Sequence, residues 1–244
     1  MRVIILAAGQ GKRLLPLTSD IPKALLDIGG KTLIERQIEA FAENGIKDFV
    51  VVVGYAANLM ERELVAVAGR LGVGITTVFN PFYAVADNLA SCWLARDQML
   101  SDFIQVNGDN VFRGDLVKQL LNAPTAPASV AINVKASYDG DDMKVMLDGD
   151  RLTEIGKTLP LDTVNAEAIG FYVFRGKGCA AYVNELEKAM RDPQGLRRWF
   201  PSAVGALAKT MPVRAIPIGG LRWCEVDVPV DLQGARQLVA SWNT

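Results

Sequence analysis

The sequence predicts an α/β protein: a single doubly wound, mixed but mostly parallel sheet carrying a small antiparallel insertion. Three observations lead there. Continuous apolar runs of strand length appear early, amphipathic stretches at helical spacing lie between them, and past about residue 125 the texture changes to shorter strands joined by turn residues.

Val3–Ala8 and Phe49–Val53 are apolar throughout, as expected of strands covered on both faces. Between them Leu33, Ile34, Ile38 and Phe41 recur at helical spacing, with Gly45 placed to end the helix. A second helix over about Leu59–Ala68 ends near Gly69, and Ile75–Phe79 reads as a strand. A third helix spans about Ser91–Leu100, and the strand Phe103–Val106 runs into Gly108-Asp109. This β-α-β-α-β order implies parallel strands with right-handed crossovers. Later, Ser129–Lys135, Lys144–Leu147 and Leu152–Ile155 are strand-like, and Asp148-Gly149-Asp150 makes a hairpin turn. Ala168–Phe174 is another strand, followed by helices near Ala180–Arg191 and Trp199–Lys209, a strand Val213–Ile218 and a closing helix from about Val230 to Trp242. No linker separates the halves. Residues 1–244 read as one domain, with a first half to about 125, a second half over about 126–228, and the closing helix over 229–244.

Composition narrows the chemistry. Of 244 residues half are hydrophobic, and a chain of this length buries roughly 70–75% of its unfolded surface without a disulfide or metal staple. Twenty-six Lys+Arg against 27 Asp+Glu leave a net charge of −1, which argues against sequence-independent nucleic-acid binding. The absence of histidine removes Ser-His-Asp and Cys-His catalysis and every His-based zinc site. Cys92, Cys179 and Cys224 are odd in number and far apart, as expected of reduced packing thiols in a cytoplasmic protein. The first apolar run is too short and wrongly flanked for a signal peptide or membrane span.

The sharpest segment is Leu6-Ala7-Ala8-Gly9-Gln10-Gly11-Lys12-Arg13-Leu14. A strand ends at small residues, and two glycines let the backbone come close to a ligand whose phosphate oxygens the loop amides can cradle. Lys12 and Arg13 add positive charge, although each also reads as a solvated surface charge. The spacing is not that of a Walker A loop, and Leu14 stands where a dinucleotide fingerprint has its third glycine. Pro22-Lys23, Gly108-Asp109 and Glu225-Val226-Asp227 complete the pattern. In an open parallel sheet ligands gather at the carboxyl ends of strands, so Asp109 and Asp227 are expected to meet the loop over one crevice and hold Mg²⁺ against a polyphosphate. Taken singly, Asp109 also fits a turn or helix N-cap, and Asp227 a cap before Pro229.

With these elements in order the chain resembles the nucleoside-triphosphate transferase family, which builds nucleotide-activated sugars and alcohols on a Rossmann-like sheet. The matching residues are Ala8–Leu14, Pro22-Lys23, Asp109 and Glu225–Asp227. Many members continue into a left-handed β-helix of hexapeptide repeats; the sequence shows none, so the expectation is a catalytic domain alone. The segment Asn80-Pro81-Phe82-Tyr83…Asp87-Asn88-Leu89-Ala90-Ser91 resembles the cytidylyltransferase branch, with Asp87 standing where that branch often has Ser or Asn. Asp142-Met143-Lys144-Val145, Lys157 and Ala168-Ile169-Gly170-Phe171 are similar to bacterial phosphocholine cytidylyltransferase-like members.

The resemblance implies attack by an acceptor phosphate or phosphonate on the α-phosphorus of CTP, with pyrophosphate leaving. The nucleophile is already ionised, so no general base is required, and catalysis is a matter of positioning and electrostatics. It assigns Mg²⁺ to Asp109 and Asp227 with Glu225 beside them, and the triphosphate to Arg13, Lys23 and the loop amides. Asn80, Asn88, Leu89 and Ser91 are placed at the base, although Asn80-Pro81 also reads as a turn and Asn88 or Ser91 as a helix cap. Lys144 and Lys157, on neighbouring strands, either aim both ammonium groups at the acceptor's anion or are ordinary surface lysines. An ammonium-bearing acceptor would want aromatic faces or carboxylates, for which Tyr83, Tyr172, Trp223, Asp142 and Glu167 are the candidates. Phe171 and Trp93 are assigned to packing. Alternatives are a sugar-1-phosphate nucleotidyltransferase using another triphosphate and a non-catalytic nucleotide-binding regulator. A glycosyltransferase would usually show Asp-x-Asp, which Asp109-Asn110-Val111 is not. Neither nucleic acid nor membrane is an expected partner, and the sequence leaves the oligomeric state open, a homodimer being compatible with exposed apolar surface.

Overall fold

The structure, a computed structural model, describes residues 1–242. The chain divides into two compact units, interleaved in sequence. The first takes Arg2–Ala84, Val106–Lys118 and the residues from Leu221 on; the second takes Val85–Gln105 and Gln119–Gly220.

The first unit opens with strand β1 (Arg2–Leu6), helix α1 (Leu33–Ala42), β2 (Asp48–Val53), α2 (Ala57–Leu71) and β3 (Gly74–Phe79). The three strands are parallel in the order β3-β2-β1, with Val3 opposite Phe49 and Asp48 opposite Gly74. Phe49 to Val53 are all fully buried, so both faces of β2 are covered. Each such valine contributes about 1.5–3 kcal/mol on burial, which is why the run tolerates no polar residue. Helix α1 starts where Thr32 accepts the Glu35 backbone N–H at 3.3 Å, an N-cap that satisfies one of the otherwise unpaired donors of the first turn. Helix α2 runs on through Gly69 and stops at Gly72, whose left-handed backbone (φ 60°) and N–H bond to the Ala68 carbonyl close it.

Helix α3 (Asn88–Leu94) opens the second unit and is shorter than the periodicity suggests, because a separate 3-10 turn, Arg96–Gln98, takes over its end. β4 (Phe103–Asn107) and α4 (Gly114–Asn122) straddle the division, with the two-residue β5 (Asn110–Val111) between them in the first unit. The second unit continues with β6 (Ala128–Asn133), β7 (Lys144–Asp148), β8 (Arg151–Gly156), β9 (Ala166–Phe174), α5 (Lys177–Met190), α6 (Pro201–Ala208) and β10 (Val213–Pro217). β11 (Cys224–Glu225) and α7 (Pro229–Ala240) return to the first unit. The closing helix expected over 229–244 is thus found to Ala240, and its last two positions lie outside the described residues.

The α/β class and the mixed sheet are present, but the antiparallel portion is more than a small insertion. In the second unit the strands follow β9-β6-β10-β8-β7, and β7 pairs back onto β9, closing a five-strand ring. β9 makes this possible: all nine of its residues are buried, and Glu167 faces Asn133 on one edge and Lys144 on the other. Register shifts between Val130 and Ile132 and between Met146 and Leu147 add the local bending that closure requires. The expected hairpin turn forms, with Asp148 opposite Arg151 and Gly149 at φ 60°.

Candidate active site

The loop after β1 is held from both sides. Ala7 N–H donates to the Val52 carbonyl at 3.0 Å, and the Ala8 carbonyl accepts from Tyr55 N–H at 2.9 Å. Gly11 has φ 75°, and a Cβ there would lie 2.9 Å from the Lys23 Cβ, so only glycine lets the Lys23 stem pass. Thr18, fully buried, donates from Oγ1 to the Gly11 carbonyl at 2.9 Å, while Gln10 Nε2 donates to the Thr18 carbonyl at 3.2 Å. The exposed side chain of Lys12 takes part in none of these bonds.

Asp109 and Asp227 are brought together by a ladder too short to read in sequence. β5 and β11 pair antiparallel, Asn110 opposite Glu225 and Val111 opposite Cys224, and Val226 N–H donates to the Asp109 carbonyl at 3.0 Å. Gly108 sits so close to β1 that a Cβ would meet the Leu6 carbonyl oxygen at 2.5 Å. On the other side Asp231, in the first turn of α7, accepts the N–H groups of Asp227 and Val228 at 2.9 and 2.8 Å. One carboxylate thereby caps the helix and fixes the backbone that carries the other.

Between these carboxylates lies Lys23. Its Nζ donates to Asp109 Oδ2 at 2.9 Å and to Asp227 Oδ1 at 2.8 Å, and Arg13 Nη2 reaches Asp227 Oδ2 at 2.9 Å. Burial alone would lower the Lys23 pKa, but Asp109 and Asp227 outweigh it and hold the value above that of an ordinary lysine. Burial likewise pushes the Asp227 carboxyl up, and Lys23 and Arg13 more than reverse this, leaving it below the usual aspartate value. Lys23 and Asp227 thereby keep their charges at neutral pH. A cleft of about 340 Å³ opens beside them, lined by Gln10, Gly11, Lys12, Arg13, Tyr83, Ala84 and Asp227.

The donor set suits a hard divalent cation. Asp109 Oδ1 is buried with no hydrogen-bond partner, an oxygen whose desolvation is uncompensated within the protein. Among the described residues no three acidic, cysteine or histidine side chains form a group that could hold a metal ion; Glu225 lies on β11 opposite Asn110. Remaining coordination would have to come from phosphate oxygens or water, as is usual for Mg²⁺.

Of the other residues singled out in the sequence, Tyr83 lines the cleft beside the loop, edge-on to Tyr55 with centroids 6.1 Å apart, and Trp223 is partly exposed in the same unit. Asn80 is buried and its Oδ1 accepts Phe82 N–H at 2.8 Å, the turn reading of that residue. In the second unit Asn88 Oδ1 accepts Phe200 N–H at 2.9 Å instead of capping α3, whereas Leu89 and Ser91 are buried in that helix. Lys144 and Lys157 do not aim together: Lys144 Nζ donates to the Lys157 carbonyl at 2.8 Å, and Lys157 Nζ lies 4.8 Å from the centroid of the Trp199 ring. Asp142 and Glu167 are both bound by Lys135, at 2.7 and 2.9 Å. Tyr172 is in the core, edge-on to Phe200, where it offers no face to a ligand, and Phe171 is buried as expected. Trp93 packs under Arg96, whose guanidinium carbon is 4.1 Å from its centroid.

The α/β layering places a glycine loop at the end of the first strand, beside Arg13, Lys23, Asp109 and Asp227. The chain belongs to the nucleotidyl transferase family, whose sequence profile it matches over residues 2–142. It is 37% identical to the choline-phosphate cytidylyltransferase of Streptococcus pneumoniae over 123 residues, 48% of this chain and 51% of that protein. It is 29% identical to the CTP:phosphoglutamine cytidylyltransferase of Campylobacter jejuni over 96% of this chain and 98% of the other. The fold matches the inositol-1-phosphate CTP transferase of T. maritima with a TM-score of 0.82, at 23% identity over 98% of this chain and 94% of the other. The chain thus spans about half the length of one of these cytidylyltransferases and nearly all of another. No helix among the described residues is long and apolar enough to cross a membrane.

Proposed function

We propose that this protein is a Mg²⁺-dependent cytidylyltransferase, which transfers CMP from CTP to a small phosphate- or phosphonate-bearing acceptor and releases pyrophosphate. The observation that carries the proposal is the convergence of Arg13, Lys23, Asp109 and Asp227 beside the glycine loop, with one oxygen of Asp109 left unpaired. Likeness to relatives named as cytidylyltransferases supports the choice of CTP.

In this reading Asp109 and Asp227 hold the cation, which when bound offsets polyphosphate charge at the reacting phosphorus. Arg13 and Lys23 bring fixed positive charge to the triphosphate, and the loop amides between Ala8 and Arg13 orient it. Thr18 keeps the loop in shape before the nucleotide arrives, so little reorganisation is required on binding. The acceptor oxygen is ionised at neutral pH, and the absence of histidine is no handicap. For the acceptor's anion the second unit offers Lys157, which lines a pocket of about 250 Å³ with Met143, Ile155, Arg197, Trp199 and Ser202 and whose ammonium lies 3.6 Å from Asp141 Oδ1.

The test is an assay of the purified protein with Mg²⁺ and each of the four nucleoside triphosphates against phosphocholine, aminoalkylphosphonates, phosphorylated glutamine and sugar phosphates. Pyrophosphate release and a CMP-linked product with CTP alone are expected. Turnover with UTP, GTP or dTTP and a sugar phosphate would replace the reading with that of a sugar nucleotidyltransferase. Tight CTP binding without turnover against any acceptor would favour a regulatory module. Lys157→Ala is expected to raise the acceptor KM and leave that for CTP unchanged.

A further inference from the structure

We infer that Gln37, on α1, is a positioning residue that sets the aim of Asp109 toward the divalent cation; the inference rests on the metal-dependent reading above. Helix α1 buries Leu33, Ile34, Ile38, Ala40 and Phe41 along one face, and Gln37 is the polar residue among them, 1% exposed. A buried primary amide is costly unless its groups are bonded. Both donors of this one are used on a single target: Nε2 donates to the Asn107 carbonyl at 3.1 Å and to the Asn110 carbonyl at 2.7 Å.

Those two carbonyls flank Gly108-Asp109. The amide therefore spans the turn from beneath and fixes its width. Two further backbone ties hold the turn: Gly108 N–H donates to the Leu6 carbonyl at 3.0 Å, and the Asp109 carbonyl accepts from Val226 N–H. With Gln37 in place the two peptide groups that bracket the turn, Asn107–Gly108 and Asn110–Val111, are held, and the backbone that carries Asp109 is braced where its Oδ2 meets Lys23. Gln37 Oε1, by contrast, is buried with no partner, so this side chain is a poor choice for stability alone. Its bonds make sense as a brace for the residue above them.

The brace is tested with Gln37→Met, which keeps length and shape and removes both donors, and Gln37→Glu, which is isosteric and turns an oxygen toward the two carbonyls. Thr32→Ala serves as a control that loosens the start of α1 without touching the turn. Mn²⁺ is titrated against the purified full chain, with and without CTP, and followed by electron paramagnetic resonance; thermal unfolding is recorded in parallel. Both Gln37 variants are expected to weaken Mn²⁺ binding about tenfold, and to raise the Mg²⁺ concentration for half-maximal turnover by a similar factor, while the KM for CTP at saturating metal stays within about twofold. Thr32→Ala is expected to lower the unfolding midpoint and leave the metal titration unchanged. A drop in the midpoint with unaltered Mn²⁺ affinity in the Gln37 variants would overturn the inference and leave the amide a structural residue. Should Gln37→Met fail to fold, the glutamate variant decides by the same titration. If Asp109→Asn does not weaken Mn²⁺ binding in the first place, the metal reading itself falls and takes this inference with it; if it does and the Gln37 variants do not, the Gln37 inference alone falls.

Discussion

In the first unit Lys23 bridges Asp109 and Asp227 at 2.9 and 2.8 Å; in the second, Lys135 bridges Asp142 and Glu167 at 2.7 and 2.9 Å. The ion triplets match, and their surroundings do not. Around Lys135 all four carboxylate oxygens are used: Asn133 Nδ2 donates to Glu167 Oε1 at 2.8 Å, Asp139 N–H donates to Asp142 Oδ2 at 2.7 Å, and Lys135 takes the other two. Around Lys23 one oxygen, Asp109 Oδ1, is buried and unpaired, and Arg13 brings a second cation. The backbones differ as well. Glu167 projects from the long strand β9, whereas Asp109 and Asp227 sit in turns pinned by a two-residue ladder. Saturation is what separates a knot that holds a fold from a cluster with bonding capacity left for a ligand.

Neutralising one carboxylate in each cluster should separate them most widely. Asp109→Asn and Asp227→Asn are each expected to lower kcat by about 100–1000-fold, on the order of 3–4 kcal/mol in the transition state, while the unfolding midpoint falls only by the modest contribution of these partly exposed ion pairs. Pyrophosphate release at saturating Mg²⁺ and CTP measures the first, and calorimetry the second. Lys135→Met should do the reverse. Two carboxylates would then face each other without their cation, at a cost of about 1–3 kcal/mol, tempered by the partial exposure of Lys135. Urea unfolding measures that loss, while the KM for CTP should stay within about twofold of its starting value. A Lys135→Met protein of full stability that no longer turns over would break the comparison.

Much of the first cluster can be read from the chain, and almost none of the second. Gly11, Lys23, Asp109 and Asp227 stand out because small residues, a proline-lysine pair and lone aspartates after apolar runs are local signals. Lys135 and Asp142 come from a loop between β6 and β7, and their meeting with Glu167 depends on closure of the strand ring, a non-local event with no periodicity to announce it. The same limit hides the β5–β11 ladder, since a pair of two-residue strands is shorter than any alternation pattern. Gln37 and Thr18 are hidden for another reason. A glutamine on a helix and a threonine in a loop are ordinary surface residues until burial is known. Helix α4 is masked at its start: it opens on Gly114, a poor helix former that reads as a break.

Thr18 provides a smaller test within the first unit. Thr18→Val keeps the buried shape and removes the bond from Oγ1 to the Gly11 carbonyl. A loss of about 1 kcal/mol is expected, read as roughly a fivefold rise in the KM for CTP with kcat little changed. The split matters, because the loop is assigned to holding the nucleotide and not to its chemistry. A fall in kcat with constant KM would move Thr18 to the carboxylate side of the site.

The finest distinction between the clusters lies in how each responds to acid. The Asp227 carboxyl is held below the usual value, so its contribution to stability is complete above the pKa of an unfolded aspartate and is lost as the pH falls through the folded one. Glu167 runs the other way: burial, the largest influence, lifts its carboxyl above the usual glutamate value despite Asn133 and Lys135. Its ionised form burdens the fold at neutral pH, and that burden is relieved as the pH drops through the raised value. Asp142, beside it, is pulled below the ordinary value by Lys135 and the Asp139 N–H against the effect of burial, so the pair spreads its two pKa values apart. Stability measured from pH 7 down to pH 3 should therefore give opposite trends in two variants. The advantage of the starting protein over Asp227→Asn shrinks with acidification, while its standing relative to Glu167→Gln improves. Parallel curves would mean that the two lysine bridges are electrostatically alike, and the difference in saturation would then have to be sought in metal binding alone.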